Sequence, residues 1–144
     1  MVEIKSKNLK LKELKKNSDF SGLIKSSDFF KDITNFEKGS IYFEILKNNK
    51  LEGLIGLEVI GAMNEFKLAK LHFSCSDAAI LDEALAILLD YAINDYFVLK
   101  IISHLDNQNE KAADLLKQKG FILNQELTDN VHEYKITKPM YLRK

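Results

Sequence analysis

Apolar and polar positions change their period several times along the chain, and each change marks an element. Residues 8–14 alternate, with Leu9 and Leu11 facing one way, Glu13 in phase and lysines on the other side, which predicts a short strand. Between 17 and 37 the spacing becomes three and four. Phe20, Leu23, Ile24, Phe29, Phe30, Ile33 and Phe36 carry it, so one or two short helices are expected there. Gly39 and Ser40 break the pattern. Ile41 to Leu46 is rich in β-branched and aromatic residues, Lys47-Asn48-Asn49-Lys50 has the composition of a turn, and Leu51 to Ile60 resumes as a strand. Gly61 to Glu65 reads as the next turn. Phe66 to Cys75 follows as a strand with Leu68, His72 and Ser74 on one parity and Ala69, Leu71, Phe73 and Cys75 on the other.

Residues 78–96 give the clearest helix. Leu81, Leu85, Leu88 and Ala92 form one stripe, and Ile80, Ala84, Ile87 and Tyr91 form a second beside it, an apolar arc wide enough for a largely buried helix. Asp77 is placed to cap it. Val98 to Leu105 is an apolar strand, so strand, helix and strand make a βαβ unit with parallel pairing and a right-handed crossover. A second helix, about 109–119, ends at Gly120, with Phe121 folding back onto Leu115 or Leu116. Ile122 to Glu126 and Val131 to Ile136 close the chain as a hairpin through Thr128-Asp129-Asn130, and Pro139 and the basic tail are expected to fray. This order predicts one α+β domain over residues 1–144: a mixed, mostly antiparallel sheet with a central parallel βαβ crossover and helices on both faces.

Charge narrows the function. The 21 basic and 21 acidic residues cancel, which argues against a dedicated nucleic-acid binder and against a tail held to anionic membranes. Arg143 is the only arginine, so any anion site in the body of the chain must use lysine or backbone N–H groups. The single cysteine, Cys75, excludes an internal disulfide and a multi-cysteine metal site and fits a reducing cytoplasm. No metal site is expected. No apolar run approaches the roughly 18 residues of a membrane span, and Met1 to Lys16 lacks the apolar stretch of a signal peptide.

Two strings carry a resemblance. One is Asp106-Asn107-Gln108-Asn109-Glu110 followed by Leu115-Leu116-Lys117-Gln118-Lys119-Gly120-Phe121; the other is Glu83-Ala84-Leu85 followed by Leu88-Leu89-Asp90-Tyr91-Ala92. With a strand between them, they resemble the GNAT superfamily of acyl-CoA-dependent N-acyltransferases, closest to the branch that acetylates ribosomal-protein N-termini. The resemblance covers roughly residues 40–125. It implies an N-acetyltransferase-like protein that passes an acetyl group from acetyl-CoA to a primary amine, on a small molecule or a peptide, in the cytoplasm, with room for a homodimer. It also implies that Leu71, Phe73 and Cys75 hold the pantetheine arm through their backbone, that Ser76, Asp77, Ala78 and Ala79 receive the pyrophosphate, and that Asn109 contacts the arm. The competing expectation is a GNAT-fold binding or interaction module without catalysis.

That alternative rests on departures from the family pattern. The glycine-rich pyrophosphate loop, Q/R-x-x-G-x-G/A, is replaced by Ser76-Asp77-Ala78-Ala79, a degenerate version without its glycines or its basic residue. No lysine or arginine lies between Lys70 and Lys100, while Asp77, Asp82, Glu83, Asp90 and Asp95 do. A carboxylate at the helix start satisfies the free N–H groups itself and competes with a bound phosphate. Weak CoA binding is therefore expected. The residue that serves many relatives as thiol-side acid, a tyrosine, maps onto Leu116.

Three side chains are candidates for moving protons: Glu58, His72 and His104. His72 suits a base near neutral pH, although the plainer reading, a half-buried strand histidine with a satisfied hydrogen bond, stands first. His104 with Asp106 lies at a strand end where a cleft would open. Glu58 points into an acceptor groove or, alternatively, out to solvent. Asn109 is in the first place a helix N-cap, and Cys75, with Asp77 beside it, a small packing residue rather than a nucleophile. The N-terminal lysines read as the solvated face of an edge strand, and Phe20, Phe29, Phe30 and Phe36 as core before pocket lining.

Overall fold

A computed structural model describes residues 2–14 and 39–143. The helices expected over 17–37 and the phenylalanines at 20, 29, 30 and 36 lie outside the described residues. The strands are β1 (Glu3–Lys5), β2 (Lys10–Glu13), β3 (Ile41–Lys47), β4 (Lys50–Met63), β5 (Phe66–Cys75), β6 (Val98–Asp106), β7 (Ile122–Glu126) and β8 (Val131–Thr137). They form one sheet in the order β1-β2-β3-β4-β5-β6-β8-β7, antiparallel throughout except for the central β5–β6 pair. This is the expected α+β architecture.

Several boundaries moved for identifiable reasons. The strand expected over 8–14 shortens to β2 because its start belongs to a tight turn, in which Ser6 N–H donates to Leu9 O and Leu9 N–H to Ser6 Oγ. That turn brings in β1, which the lysine-rich N-terminus had not announced. Asn48 and Asn49 take φ of 52° and 64°, the left-handed pair that a two-residue hairpin turn needs and asparagine tolerates. β4 runs past Ile60 to Met63. Val59 pairs with Ala69 and Gly61 with Leu68, so Ile60 is an extra residue and Gly61 marks a bulge, not a turn. The turn itself is Asn64–Glu65, with Asn64 at φ 57°.

Helix α1 (Ala78–Asn94) crosses from β5 to β6. Its Ile80, Leu81, Ala84, Leu85, Leu88, Leu89, Ala92 and Ile93 pack on the sheet face formed by Ile41, Phe43, Ile45, Ile55, Leu57, Ala69, Leu71 and Ile101. Leu85 and Leu88 are fully buried, each stabilising the fold by about 1.5–3 kcal/mol. Helix α2 (Glu110–Gln118) joins the same face through Ala112 and Leu116, and Lys119 Nζ reaches Asp82 Oδ1 of α1 at 2.5 Å. It stops as expected: Gly120 has φ 106°, its N–H donates to Lys117 O, and Phe121 N–H donates to Leu116 O, both at 3.0 Å. The tail does not fray. Lys138–Leu142 forms a short helix, α3, because Thr137 Oγ1 accepts from Met140 N–H, Pro139 suits the first turn, and Met140 and Tyr141 pack on the core.

What positions the site is the end of one ladder. β5 and β6 pair at Lys67–Val98, Leu68–Lys100, Ala69–Ile101 and Lys70–Ile102, and there the pairing stops. β5 continues to Cys75 held by β4, where Gly53 faces Cys75. β6 continues to Asp106 held by β8, where Asp106 faces Val131. Each strand follows its outer partner, and a wedge opens between them.

Candidate active-site cleft

Among the described residues, the wedge offers one row of backbone without a strand partner. Lys67 N–H donates to Phe97 O on the β6 side at 2.7 Å. Strand alternation then turns the N–H and C=O groups of Leu71, Phe73 and Cys75 the same way, and among the described residues no strand pairs with them there beyond Lys70. An extended chain with amide groups fits such an edge as an added strand.

The two faces of the sheet differ at this gap. On the α1 side lie Leu71 of β5 and Leu105 of β6, both in the core, with the hydroxyl of Ser103 between the core residues Ile101 and Leu105. On the other face stand two histidines. Lys70 pairs with Ile102, so two residues further on His72 and His104 occupy opposite lips of the wedge on that face.

Each histidine is held by a carboxylate. His72 Nε2–H donates to Glu58 Oε1 at 2.8 Å, and Glu58 is only 3% exposed. The solvent-facing alternative for Glu58 is thus incorrect: β4 turns it inward beside β5, where His72 takes it up. Tyr42 lies in the same patch, its ring against Gly56 of β4. Burial first, then the Glu58 charge, pushes the Tyr42 phenol far above its usual range, and a hydrogen bond with Ser40 acts the other way. His104 Nε2–H donates to Glu133 Oε1 at 2.9 Å. The sequence had paired His104 with Asp106, but Asp106 Oδ1 instead accepts from Gln108 N–H at 2.9 Å, closing the turn into α2. Glu133 is 7% exposed, and its other oxygen accepts from Asn124 and Gln125. Burial pushes its carboxyl up, yet the bonds from His104, Asn124 and Gln125 outweigh this and hold it below the ordinary carboxylate range. No sequence signal named Glu133, because its partnership depends on the β6–β8 register that sets His104 opposite it.

The segment expected to receive a pyrophosphate offers few free donors. Ser76, Asp77, Ala78 and Ala79 are exposed at the start of α1. Asp77 Oδ1 accepts from Ala79 N–H at 2.9 Å and Ile80 N–H at 3.1 Å, so the N-terminal amides are already engaged. Asn109 caps α2 through Oδ1 and Ala112 N–H at 3.3 Å, the plainer of its two expected roles. Burial pushes the Cys75 thiol up, the bond to Asp77 O at 3.6 Å opposes this, and the charges of Asp77 and Glu52 add to the rise. A packing role for Cys75 agrees with that environment. A lysine-lined pocket of about 250 Å³ lies away from the wedge, between the β1–β2 and β3–β4 turns, with Lys5, Lys7 and Lys10 in its wall. Among the described residues no cluster of His, Cys, Asp and Glu could hold a metal ion, and no helix is long and apolar enough to cross a membrane.

No protein-family model and no curated protein matches the chain. Solved structures do. The spermidine/spermine N-acetyltransferase SpeG from Vibrio cholerae superposes with a TM-score of 0.73 at 16% identity, over 96% of this chain and 98% of that one. The N-acetyltransferase PseH of Campylobacter jejuni gives 0.65 at 15%, over 90% and 97%. The chain has the GNAT fold. At such identities the likeness is one of fold, and roles for individual residues must come from the geometry above.

Proposed function

We propose that the protein is an N-acetyltransferase that moves an acetyl group from acetyl-CoA to a primary amine of a small molecule or a peptide. The observation that supports this most is the ladder that ends at Lys70–Ile102 while both strands continue. The resulting edge of Leu71, Phe73 and Cys75 fits the amides of a pantetheine arm, whereas the Asp77-capped start of α1 fits its pyrophosphate poorly. The donor, when bound, supplies an activated acyl thioester. The protein holds it beside the amine, and positioning of this kind can contribute about 7–11 kcal/mol to lowering a barrier.

The acceptor amine approaches from the histidine face and must lose a proton before it attacks. His104 is our choice of base. Glu133 holds the proton on Nε2, which leaves Nδ1 as the basic nitrogen. His72 and Glu58, more deeply buried, shape and polarise the opposite lip. The neighbours named for N-acetylation of spermidine support a primary amine as acceptor class.

A thermal-shift titration with acetyl-CoA is the first test. Saturation at 100 times Kd should add about 2.7 kcal/mol of stability. Thiol release is then followed with spermidine, an amino sugar and a short peptide as acceptors. A melting temperature unmoved by millimolar acetyl-CoA refutes the proposal. A second reading, a GNAT-fold binding module, is favoured by the Asp77 cap alone. CoA binding without acetylation of any amine in the panel supports that reading.

A further inference from the structure

Ser103 is the residue whose state the fold does not explain. It is 1% exposed, and among the described residues its Oγ has no hydrogen-bond partner. Buried hydroxyls are nearly always satisfied, because one stripped of water and given nothing in return destabilises the folded chain. Alanine in its place would pack as a small apolar residue between Ile101 and Leu105 with no such penalty.

Its position is informative. Ala69 pairs with Ile101 and Lys70 with Ile102. One further step of that register would set Ser103 opposite Leu71, the first residue of β5 whose backbone faces open wedge. Ser103 and Leu71 therefore flank the apex of the gap on its α1 face. Leu116 of α2, fully buried in the same cluster, offers no polar atom there.

We infer that the Ser103 hydroxyl is a contact for the sulfur of the acyl donor. The inference rests on the acetyltransferase reading. An arm lying along Leu71 to Cys75 would bring its reactive end to the apex, beside the strand position of Ser103. During transfer the C–N bond forms as the C–S bond breaks, and the electron pair of the C–S bond goes to sulfur. The surplus proton of the amine leaves to the base on the histidine face. Ser103 keeps its own proton and donates a hydrogen bond to the thiolate, which is later protonated by solvent.

Three measurements on the full chain test this: melting temperature without ligand, affinity for CoA, and affinity for desulfo-CoA, which lacks the sulfur. Ser103→Ala should melt at or above the wild type. Its affinity for CoA should fall about fivefold, the loss of one hydrogen bond, with no change for desulfo-CoA. Ser103→Thr, which keeps the hydroxyl, should retain the preference for CoA. If wild type binds CoA and Ser103→Ala binds it equally well, this inference fails and the transferase reading survives. A lower melting temperature for the alanine variant, with CoA affinity unchanged, would also overturn it by showing a structural hydroxyl. If wild type binds neither ligand, both fall together.

Discussion

On the proposed reading, Asp77 sets folding against donor binding at a single carboxylate, and two substitutions separate the effects. Its Oδ1 holds the N–H groups of Ala79 and Ile80 at 2.9 and 3.1 Å. Asp77→Ala removes these bonds and should cost about 1 kcal/mol, within the 0.5–2 kcal/mol usual for a helix cap. In a chain of this size that lowers the melting temperature by about 3–4 °C. Asp77→Asn keeps an acceptor at the cap and forfeits only the attraction between the negative charge and the helix dipole, about 0.3–1 kcal/mol. Donor binding should move the other way. A carboxylate about 4 Å from a phosphate charge costs roughly 1 kcal/mol in a water-like medium, and Asp77 is exposed. Removing it should therefore tighten CoA binding about fivefold. Calorimetric titration of wild type and Asp77→Asn at low and high salt is the assay, and the gain should shrink at high salt. If Asp77→Asn binds CoA no more tightly than wild type at low salt, the carboxylate is not what opposes the donor.

Two further outcomes concern stability. The Glu133 carboxyl is held below its ordinary range, so the stability it confers is complete above the unfolded value of about 4.3 and lost as pH falls through the lower folded value. Glu133→Gln should thus be less stable than wild type at pH 7 by about 1.5–3 kcal/mol, with the gap closing below pH of about 4. Urea unfolding across that range measures it, and a gap constant with pH argues against the reasoning. At Gly56, an added Cβ would lie 2.4 Å from Tyr42 Cδ1 and 2.8 Å from Ile41 O. Gly56→Ala should cost about 1–3 kcal/mol by overpacking, whereas the roomier Gly61→Ala, nearest atom 3.5 Å away, should cost less; equal losses in denaturant melts would contradict this.

The parts of the fold written in local periods were legible, and those written in pairings were not. The two apolar stripes of α1 and the Gly120 stop of α2 are local signals, and both held. Ile60 and Gly61 misled because a glycine after an apolar run marks either a turn or a bulge, and only the β5 partner decides which. The tail misled for a related reason: Pro139 at a helix start looks in sequence like Pro139 in a frayed end, until Thr137 supplies the cap. In the cleft, residue type alone singled out Glu58, His72 and His104, but not the pairings: Glu58 was not matched to His72, and Glu133 was not named. His104 and Asp106 share a face of β6, but two steps along a strand set them about 7 Å apart, and Asp106 accepts from Gln108 N–H instead. The true partner of His104, Glu133, is 29 residues away.

The same register logic explains why a cleft forms here at all. Parallel neighbours joined by a buried crossover ordinarily zip along their shared length. In this chain β5 is bound to β4 through an antiparallel ladder that reaches Cys75, and β6 to β8 through one that reaches Asp106. Sheet twist rotates each such pair relative to the next, so two firmly paired ribbons joined by only a short central ladder diverge beyond it. The gap is thus a product of strong outer pairing rather than of a weak centre. Its walls inherit opposite characters from the two faces of the sheet: core leucines and a lone hydroxyl toward α1, two histidine–carboxylate pairs on the other side. On the proposed reading, the acyl arm would lie in the gap along β5 with the core leucines on one side, and the protonated amine would reach it from the histidine face.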